Sequence, residues 1–137
     1  MSEQTVTTGE VVAAFLEACG VQAAFGVISI HNLPMLDALG RSAVIRFVPT
    51  RGEAGAVNMA DAYARTRGEL GVAFTSTGTG AGNAAGALVE AETAGTPLLH
   101  LTGQIDLPHL DRGRGYIHET KAQLGMLRSI SKAVYRV

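Results

Sequence analysis

Residues 50–67, with the sequence TRGEAGAVNMADAYARTR, form the stretch from which the fold is best deduced. Thr50 precedes Glu53 at the spacing of a capping box, which predicts a helix with Thr50 as its N-cap. Apolar residues then recur at helical intervals and predict one buried stripe, formed by Ala56, Met59, Ala60 and Tyr63. Because alanine dominates this stripe, a second helix or a flat ligand can approach it closely.

Glu53 lies in the first turn of the predicted helix, where the helix dipole favours a carboxylate. Two interpretations of this residue follow from the stretch alone. The side chain either caps a helix and does nothing more, or acts as a functional acid at the start of that helix. The remainder of the chain has to decide between them.

The composition indicates an ordinary single domain. The chain has 137 residues, of which 47% are hydrophobic and 17% charged, and its net charge of −1 gives no electrostatic reason to bind nucleic acid or an anionic membrane. The 17 glycines predict tight turns and close backbone approaches. No signal-peptide pattern and no long apolar run occur, so we expect a cytoplasmic protein. The single Cys19 is predicted to be a buried structural thiol.

Short apolar runs alternate with helical patterns along the chain. Strands are predicted at residues 22–27, 43–48, 70–75, 97–102 and 132–137. Helices are predicted from Thr7 or Thr8 to Gly20, at residues 31–40 and 50–67, from the glycine-rich turn 76–86 onward, and at 119–127. The buried side of the first helix is predicted to consist of Val11, Val12, Phe15, Leu16 and Cys19. This alternation predicts an α/β domain with an open, doubly wound parallel sheet and helices on both faces.

Ligands of such sheets bind at the carboxyl ends of the strands. Four segments follow predicted strands in this way and should therefore meet at one edge of the sheet. They are residues 28–32, 49–53, 76–83 and the loop from residue 103 onward. Any functional site is expected at this edge.

The glycine-rich segment partly matches a dinucleotide-binding fingerprint. Gly80-x-Gly82-x-x-Ala85 follows a predicted strand, opens a helix and has Asp106 some way downstream. The fingerprint belongs to the first strand–helix unit of a Rossmann fold, however, and here it falls in the third. A P-loop lysine is missing, which argues against nucleoside triphosphate hydrolysis. An NAD- or nucleotide-binding domain therefore remains an alternative.

The histidines and serines carry no familiar metal or hydrolase pattern. No i, i+4 pairing and no Cys–His cluster is found among His31, His100, His109 and His118, so no metal site is predicted. Gly-x-Ser-x-Gly is absent, which leaves no nucleophile elbow for a catalytic triad. His100 lies in an apolar strand and is predicted to be a hydrogen-bonded core histidine.

Seven motifs in order carry a resemblance to a known family. They are Phe25-Gly-Val, Leu36-Asp-Ala-Leu, Arg51-Gly-Glu-Ala-Gly-Ala, Met59-Ala-Asp-Ala-Tyr-Ala-Arg, Thr75-Ser-Thr-Gly-Thr-Gly-Ala-Gly-Asn, Pro97-Leu-Leu-His-Leu-Thr-Gly-Gln and Lys132-x-x-x-Arg-Val. Together they resemble the N-terminal pyrimidine-binding (PYR) domain of thiamine-diphosphate-dependent enzymes, in the group of acetolactate synthase, benzoylformate decarboxylase and benzaldehyde lyase. The resemblance covers about residues 5–137 and implies one pyrimidine-binding domain over residues 1–137.

The resemblance implies a specific role for Glu53. The matching glutamate of that family hydrogen-bonds ring nitrogen N1′ of the cofactor's aminopyrimidine and favours the imino tautomer, which removes the C2 proton of the thiazolium. A desolvated carboxylate suits this role, because its raised pKa lets it exchange a proton with a weakly basic ring nitrogen. The resemblance thus implies thiamine diphosphate as cofactor and a 2-oxo acid or aldehyde as substrate, for decarboxylation or carboligation.

Further site residues follow from the resemblance alone. His31 and His118 match active-site positions of the family, and an imidazole there can move protons near neutral pH. The resemblance also implies a set of cofactor-binding positions beside Glu53. These are Ser29, Gly78, Gly80, Asn83 and Gln104.

The sequence also departs from the family pattern around the substrate. Ile28-Ser29 replaces a Pro-Gly pair, Gly78-Thr79-Gly80 replaces Gly-Pro-Gly, and Ile117-His118 replaces an aromatic–glutamine pair. These differences call acetolactate synthesis itself into question. They do not affect the expected activation of the cofactor by Glu53.

The family binds diphosphate and Mg²⁺ through a Gly-Asp-Gly…Asn motif on a second domain, and no Gly-Asp dipeptide occurs in this chain. The resemblance therefore implies half of an active site. We expect an N-terminal fragment, or else a separate subunit, that pairs with another PYR domain as a homodimer or higher oligomer. A diphosphate-binding domain would supply the Mg²⁺ site. A non-catalytic dimerising module is the remaining alternative.

Overall fold

The computed structural model describes residues 5–137, so the first four residues of the predicted domain lie outside the described part. Helices and strands alternate along the chain as predicted. In order they are α1 (Thr8–Ala18), β1 (Ala23–Gly26), α2 (Leu33–Gly40), β2 (Arg46–Pro49), α3 (Glu53–Arg67), β3 (Gly71–Thr75), α4 (Thr79–Thr93), β4 (Leu98–Thr102) and α5 (Gln123–Arg128). No helix in this part of the chain is long and apolar enough to cross a membrane.

The four strands form one parallel sheet in the order β2-β1-β3-β4. The register sets Phe25 beside Ala73 and Gly26 beside Phe74. A side chain at Gly26 would lie 2.7 Å from the Cβ atom of Phe74, so the end of β1 requires glycine. The predicted parallel α/β architecture is therefore confirmed.

Each face of the sheet is covered by helices, and β3 illustrates how. Its residues Val72 and Phe74 point to a core shared with Leu16 of α1 and Leu39 of α2. Ala73, between them, points to the opposite core. That second core is built from α3, α4 and α5, with Ala56, Val57, Ala60, Ala84, Leu88 and Leu127. The alternation of side chains along a fully buried strand thus produces three layers, helix–sheet–helix.

The two predicted N-caps had different outcomes. Thr7 caps α1, as one of the two predicted alternatives, and it forms both bonds of a capping box with Glu10. At α3 the prediction was wrong, because the N-cap is Gly52 and Glu53 is already the first helical residue. The Thr50 hydroxyl instead donates to the carbonyl of Gly52 at 3.1 Å. Glu53 is therefore not engaged in capping its own helix.

The buried side of α1 also differs from the prediction. Val11 and Phe15 are exposed, and so is Cys19, which corrects its assignment as a buried thiol. The reason is close packing of α2, since a side chain at Gly9 would collide with the carbonyl of Pro34. The buried residues of α1 are therefore Gly9, Ala13 and Leu16, of which only Leu16 was predicted.

The end of the chain contains the other corrections. Residues 132–137 form no strand, and the last helix covers six residues, from Gln123 to Arg128, instead of 119–127. Val134 packs against the core beside α3 and α4 and does not extend the sheet. The glycine-rich turn is also shorter than expected, because α4 begins at Thr79 and includes Gly80 and Gly82.

Candidate functional site

The carboxyl ends of the four strands lead into the segments that carry the predicted site residues. The loop after β1 contains Ser29 and His31, α3 begins after β2 with Glu53, and the turn after β3 contains Gly78. The direction of winding reverses between β1 and β3, which creates the crevice where ligands of such sheets bind. The predicted convergence at one edge is confirmed.

Glu53 is partly buried at the N-terminus of α3, against the start of α4. Asn83 of α4 donates its side-chain amide to Oε2 of Glu53 at 3.3 Å. Oε1 faces the α-carbon of Gly80, and a side chain there would lie 2.8 Å from this oxygen. Among residues 5–137, no group donates a hydrogen bond to Oε1. One carboxylate oxygen is thus held by the protein, while the other is available to a ligand.

A chain of hydrogen bonds lies beside this carboxylate and joins two histidines. The hydroxyls of Ser29 and Ser76 are 2.8 Å apart. Ser76 Oγ lies 3.1 Å from Nδ1 of His118, and Ser29 Oγ lies 3.5 Å from Nδ1 of His31. The two imidazole rings are 5.4 Å apart between centroids. The structure therefore brings both predicted catalytic histidines together.

Asn32 holds the loop of His31 against β3. Its side chain is fully buried, accepts a hydrogen bond from the amide of Ser29 at 2.9 Å, and donates to the carbonyls of Val27 and Thr75 at 2.9 and 3.2 Å. Although Asn32 is the N-cap residue of α2, its side chain does not cap that helix. Sequence reasoning missed this role, because the asparagine bridges two strands that are distant in the chain.

Two glycines allow the backbones of the histidines to approach the sheet. A side chain at Gly103 would collide with the carbonyl of His31, and one at Gly78 would collide with the carbonyl of His118. Gly78 also has a φ of 56°, which disfavours other residues. The predicted site residue Gly78 is therefore required for the position of His118, whether or not it contacts a ligand.

Gln123 joins the backbones of Gly78 and Gly103 through hydrogen bonds and is 5% exposed. It accepts hydrogen bonds from the hydroxyl of Thr77 at 2.7 Å and the amide of Gly78 at 2.6 Å, and donates to the carbonyl of Gly103 at 3.2 Å. Gln104, a predicted cofactor-binding residue, is turned toward the same place and accepts from Thr77 at 3.4 Å. Gln123 was not identified from sequence, because a polar residue in a short helix carries no local signal of burial.

The carboxylate of Glu119 stabilises the loop that contains His118 by accepting hydrogen bonds from its backbone. Glu119 accepts hydrogen bonds from the amides of Gly113 and Tyr116 at 2.9 and 3.0 Å. The bond from Tyr116 above all, together with that from Gly113, holds the pKa of Glu119 below its usual value, although desolvation acts in the opposite direction. His118 itself has a φ of 62°, unusual for a residue with a side chain.

Burial lowers the pKa of two histidines at this edge. Desolvation, and secondarily the nearby His118, lowers the pKa of His31, while Asp106 acts in the opposite direction. His100 of β4 accepts or donates a 2.8 Å hydrogen bond with the hydroxyl of Thr75. Burial of its ring lowers the pKa of His100 to about 4. His100 is thus the hydrogen-bonded, desolvated histidine that its strand position predicted.

The predicted residues divide into two groups at the edge of the sheet. Glu53, Gly80 and Asn83 form one contact group. Ser29, His31 and His118 belong to the other, which also includes Ser76. Both groups touch Gly80, because a side chain there would lie 2.7 Å from Cβ of Ser76 as well as close to Glu53. The roles proposed for these residues in binding and catalysis remain predictions.

A cavity of about 390 Å³ lies beside the loop that follows β4 and includes Gln104, Glu119 and Lys121 in its lining, but not Glu53 or either histidine of the pair. In the described residues, no group of three or more His, Cys, Asp or Glu side chains is arranged to hold a metal ion.

The fold, and the edge of the sheet that carries Glu53, agree with the comparison to known proteins. Residues 6–126 match the family described as thiamine pyrophosphate enzyme, N-terminal TPP binding domain. The chain belongs to this family. The resemblance deduced from the seven motifs is therefore confirmed, and with it the class of thiamine-diphosphate-dependent enzymes.

Three relatives illustrate the range of the family. A probable 2-ketoarginine decarboxylase of Pseudomonas aeruginosa is 38% identical over 94% of this chain, and the acetolactate synthase large subunit of Lactococcus lactis is 30% identical over 98%. The solved structure of a thiamine diphosphate-dependent 4-hydroxybenzoylformate decarboxylase of Rhodococcus jostii superposes with a TM-score of 0.83 at 27% identity over 93% of this chain. This chain spans 23% of the length of each of the three.

Proposed function

We propose that this chain binds the aminopyrimidine half of thiamine diphosphate, with Glu53 exchanging a proton with ring nitrogen N1′. The observation that carries the proposal is the unpartnered Oε1 of Glu53 beside the bare α-carbon of Gly80. Membership of the thiamine pyrophosphate enzyme family supports the identity of the cofactor.

The position of Glu53 depends on its neighbours in α4. Because Gly80 has no side chain, the Glu53 carboxylate can lie directly against the start of α4, where a Cβ atom would be 2.8 Å from Oε1. Asn83 holds Oε2 and thereby orients Oε1.

Thiamine diphosphate, when bound, supplies a carbon nucleophile for attack on a carbonyl group. On this basis we propose that the complete enzyme decarboxylates or ligates 2-oxo acids or aldehydes. His31 and His118 lie on the neighbouring part of the edge and would hold or deliver protons at the substrate's carbonyl oxygen. Ser29 and Gly78 would form the backbone wall that faces the cofactor.

The remaining half of the site is proposed to come from elsewhere. The chain spans less than a quarter of the three relatives described above, and the resemblance implies a diphosphate-binding domain that holds Mg²⁺. We also propose pairing of two PYR domains. Met59 of α3, which was predicted to be buried, is 41% exposed, and Val89 of α4 is exposed as well. These apolar residues support a protein contact on the side of the domain formed by α3 and α4.

The NAD alternative has less support in the geometry. Gly80 and Gly82 lie inside α4, and Gly80 packs against a carboxylate, which would repel a pyrophosphate. Titration of the complete protein with thiamine diphosphate and with NAD separates the two. We expect saturable binding of thiamine diphosphate and no binding of NAD.

The role of Glu53 is tested by Glu53→Gln in the complete enzyme. We expect exchange of the cofactor's C2 hydrogen, followed by NMR in deuterated water, to slow by about 100-fold or more, in the range of general acid–base effects. Glu92→Gln provides a matched control, because Glu92 is an exposed residue near the other end of α4. Exchange in Glu53→Gln at the rate of the control would refute the proposal.

A further inference from the structure

The hydrogen-bonded chain from His31 to His118 consists of three consecutive contacts. They join Nδ1 of His31 to Ser29 Oγ, Ser29 Oγ to Ser76 Oγ, and Ser76 Oγ to Nδ1 of His118, at 3.5, 2.8 and 3.1 Å. The first is the longest and the central one the shortest. Ser76 is 4% exposed, so water is largely excluded from its hydroxyl.

A count of hydrogens restricts the state of this chain. Each of the three contacts requires one hydrogen, and the two hydroxyls supply only two. Ser29 Oγ also accepts a bond from the backbone amide of His31 at 3.2 Å, which occupies a lone pair and leaves its hydrogen free. The third hydrogen must therefore come from Nδ1 of at least one imidazole. If both rings donated from Nδ1, both lone pairs of Ser29 Oγ would be occupied and its hydroxyl would have to donate to Ser76. The hydrogen of Ser76, which is 4% exposed and bonds no other group among residues 5–137, would then have no acceptor. The other imidazole therefore accepts at its Nδ1 atom.

We propose that Ser29 and Ser76 are positioning residues that force the neutral rings of His31 and His118 into opposite tautomers. When His31 carries its proton on Nδ1, both hydroxyls point toward His118, whose proton is then on Nε2. When the hydroxyls turn the other way, the two rings exchange these states. Neither ring can choose its tautomer independently of the other.

This coupling gives the pair of histidines complementary chemistry. A neutral imidazole has one nitrogen that donates and one that accepts. One Nε2 atom of the pair therefore carries a hydrogen while the other has a free lone pair. Among residues 5–137, neither Nε2 atom has a hydrogen-bond partner. The pair thus offers one acid and one base to a substrate, a use that rests on the proposed function.

The tautomers are measured by ¹⁵N NMR of the imidazole nitrogens in the whole chain, without cofactor, at about pH 8.5, where histidines are neutral. The protein has four histidines, so signals are assigned by single His→Gln substitutions. We expect the fractions of His31 and His118 protonated at Nδ1 to sum to one, even if the hydroxyls flip rapidly. Wild-type rings that both carry their proton on the same nitrogen would overturn the proposal.

Variants separate control of the histidine tautomers from a purely structural role of the serines. In Ser29→Ala we expect the sum to fall below one, because neither ring is then required to carry its proton on Nδ1. Ser29→Thr keeps the hydroxyl and should retain the sum, as should Ser129→Ala, whose hydroxyl bonds only the carbonyl of Met126. A sum of one in Ser29→Ala would show that another cause sets the tautomers. This measurement is independent of Glu53, so either proposal can fail alone.

Discussion

At the scale of single residues, the site depends on side chains whose neighbours come from distant parts of the chain. Glu53 is held by Asn83, Ser29 meets Ser76, and Asn32 spans two strands. The motifs identified Glu53, His31 and His118 without the structure. They did not identify Ser76 or Asn32 as site residues, because a hydrogen bond between residues more than forty positions apart leaves no local pattern.

The buried ring of His100 predicts a pH dependence of stability. Its pKa is about 4 in the folded protein, against about 6.5 unfolded, so between these values the unfolded chain binds a proton that the folded one does not. Stability should therefore fall as the pH drops from 6.5 to 4, by at most about 3 kcal/mol from this residue. Urea unfolding across this range measures the effect.

The control for this prediction is His100→Gln, which removes the titrating group and can still hydrogen-bond Thr75. The difference in pH dependence between the wild type and this variant isolates His100 from other groups, including His31, whose pKa is also lowered. Parallel stability curves for the two proteins would contradict the prediction.

At the scale of elements, local signals succeeded where the partner residues are close in sequence. The start of α1 was predicted, because its N-cap Thr7 and the acidic Glu10 lie within one turn of each other. The buried side of α1 was not, since the close approach of Gly9 to Pro34 selects it. The position of α3 shows both effects. Its existence was predicted, but its N-cap was assigned two residues too early.

The loop before α5 predicts that Glu119 controls the order around His118. Glu119 offers one carboxylate oxygen to Gly113 and the other to Tyr116. Glu119→Gln replaces one of these acceptors by a donor, so one amide loses its bond. We expect faster hydrogen exchange at these two amides and a weaker contact of His118 with Ser76. Hydrogen exchange followed by NMR provides the measurement.

The same loop should loosen in the wild type at low pH. Because the folded pKa of Glu119 is depressed, its stabilising effect is complete above the ordinary carboxyl pKa and disappears as the pH falls through the folded value. Glu92→Gln again serves as the control, and it should leave exchange in the loop unchanged. Equal exchange in Glu119→Gln and this control would contradict the assignment.

At the scale of the whole molecule, residues 5–137 form a three-layer domain with helices on both faces of one sheet. The helices α3 and α4 pack together on one face of the sheet and expose Met59 and Val89. If two PYR domains pair through this face, Met59→Glu should place a charge in the contact. We expect the dissociation constant of the dimer to rise roughly tenfold or more, which is equivalent to a loss of about 1.4 kcal/mol of association free energy.

Sedimentation of the complete protein tests this expectation. Val44→Glu is the matched control, because Val44 is also an exposed apolar residue but lies before β2, away from α3 and α4. An unchanged dimer in Met59→Glu, or an equal loss in Val44→Glu, would exclude the proposed face.

The sequence by itself determined the parallel α/β class, the family and the edge of the sheet at which Glu53, His31 and His118 lie. These features follow from periodicity and from ordered motifs, which are properties of short segments. Only the tertiary structure decided that Glu53 keeps an oxygen free beside Gly80, and that two serines join two histidines. It also decided that Val134 packs on the core in place of forming a fifth strand. Such outcomes depend on contacts between remote segments, whose packing energies no local pattern records.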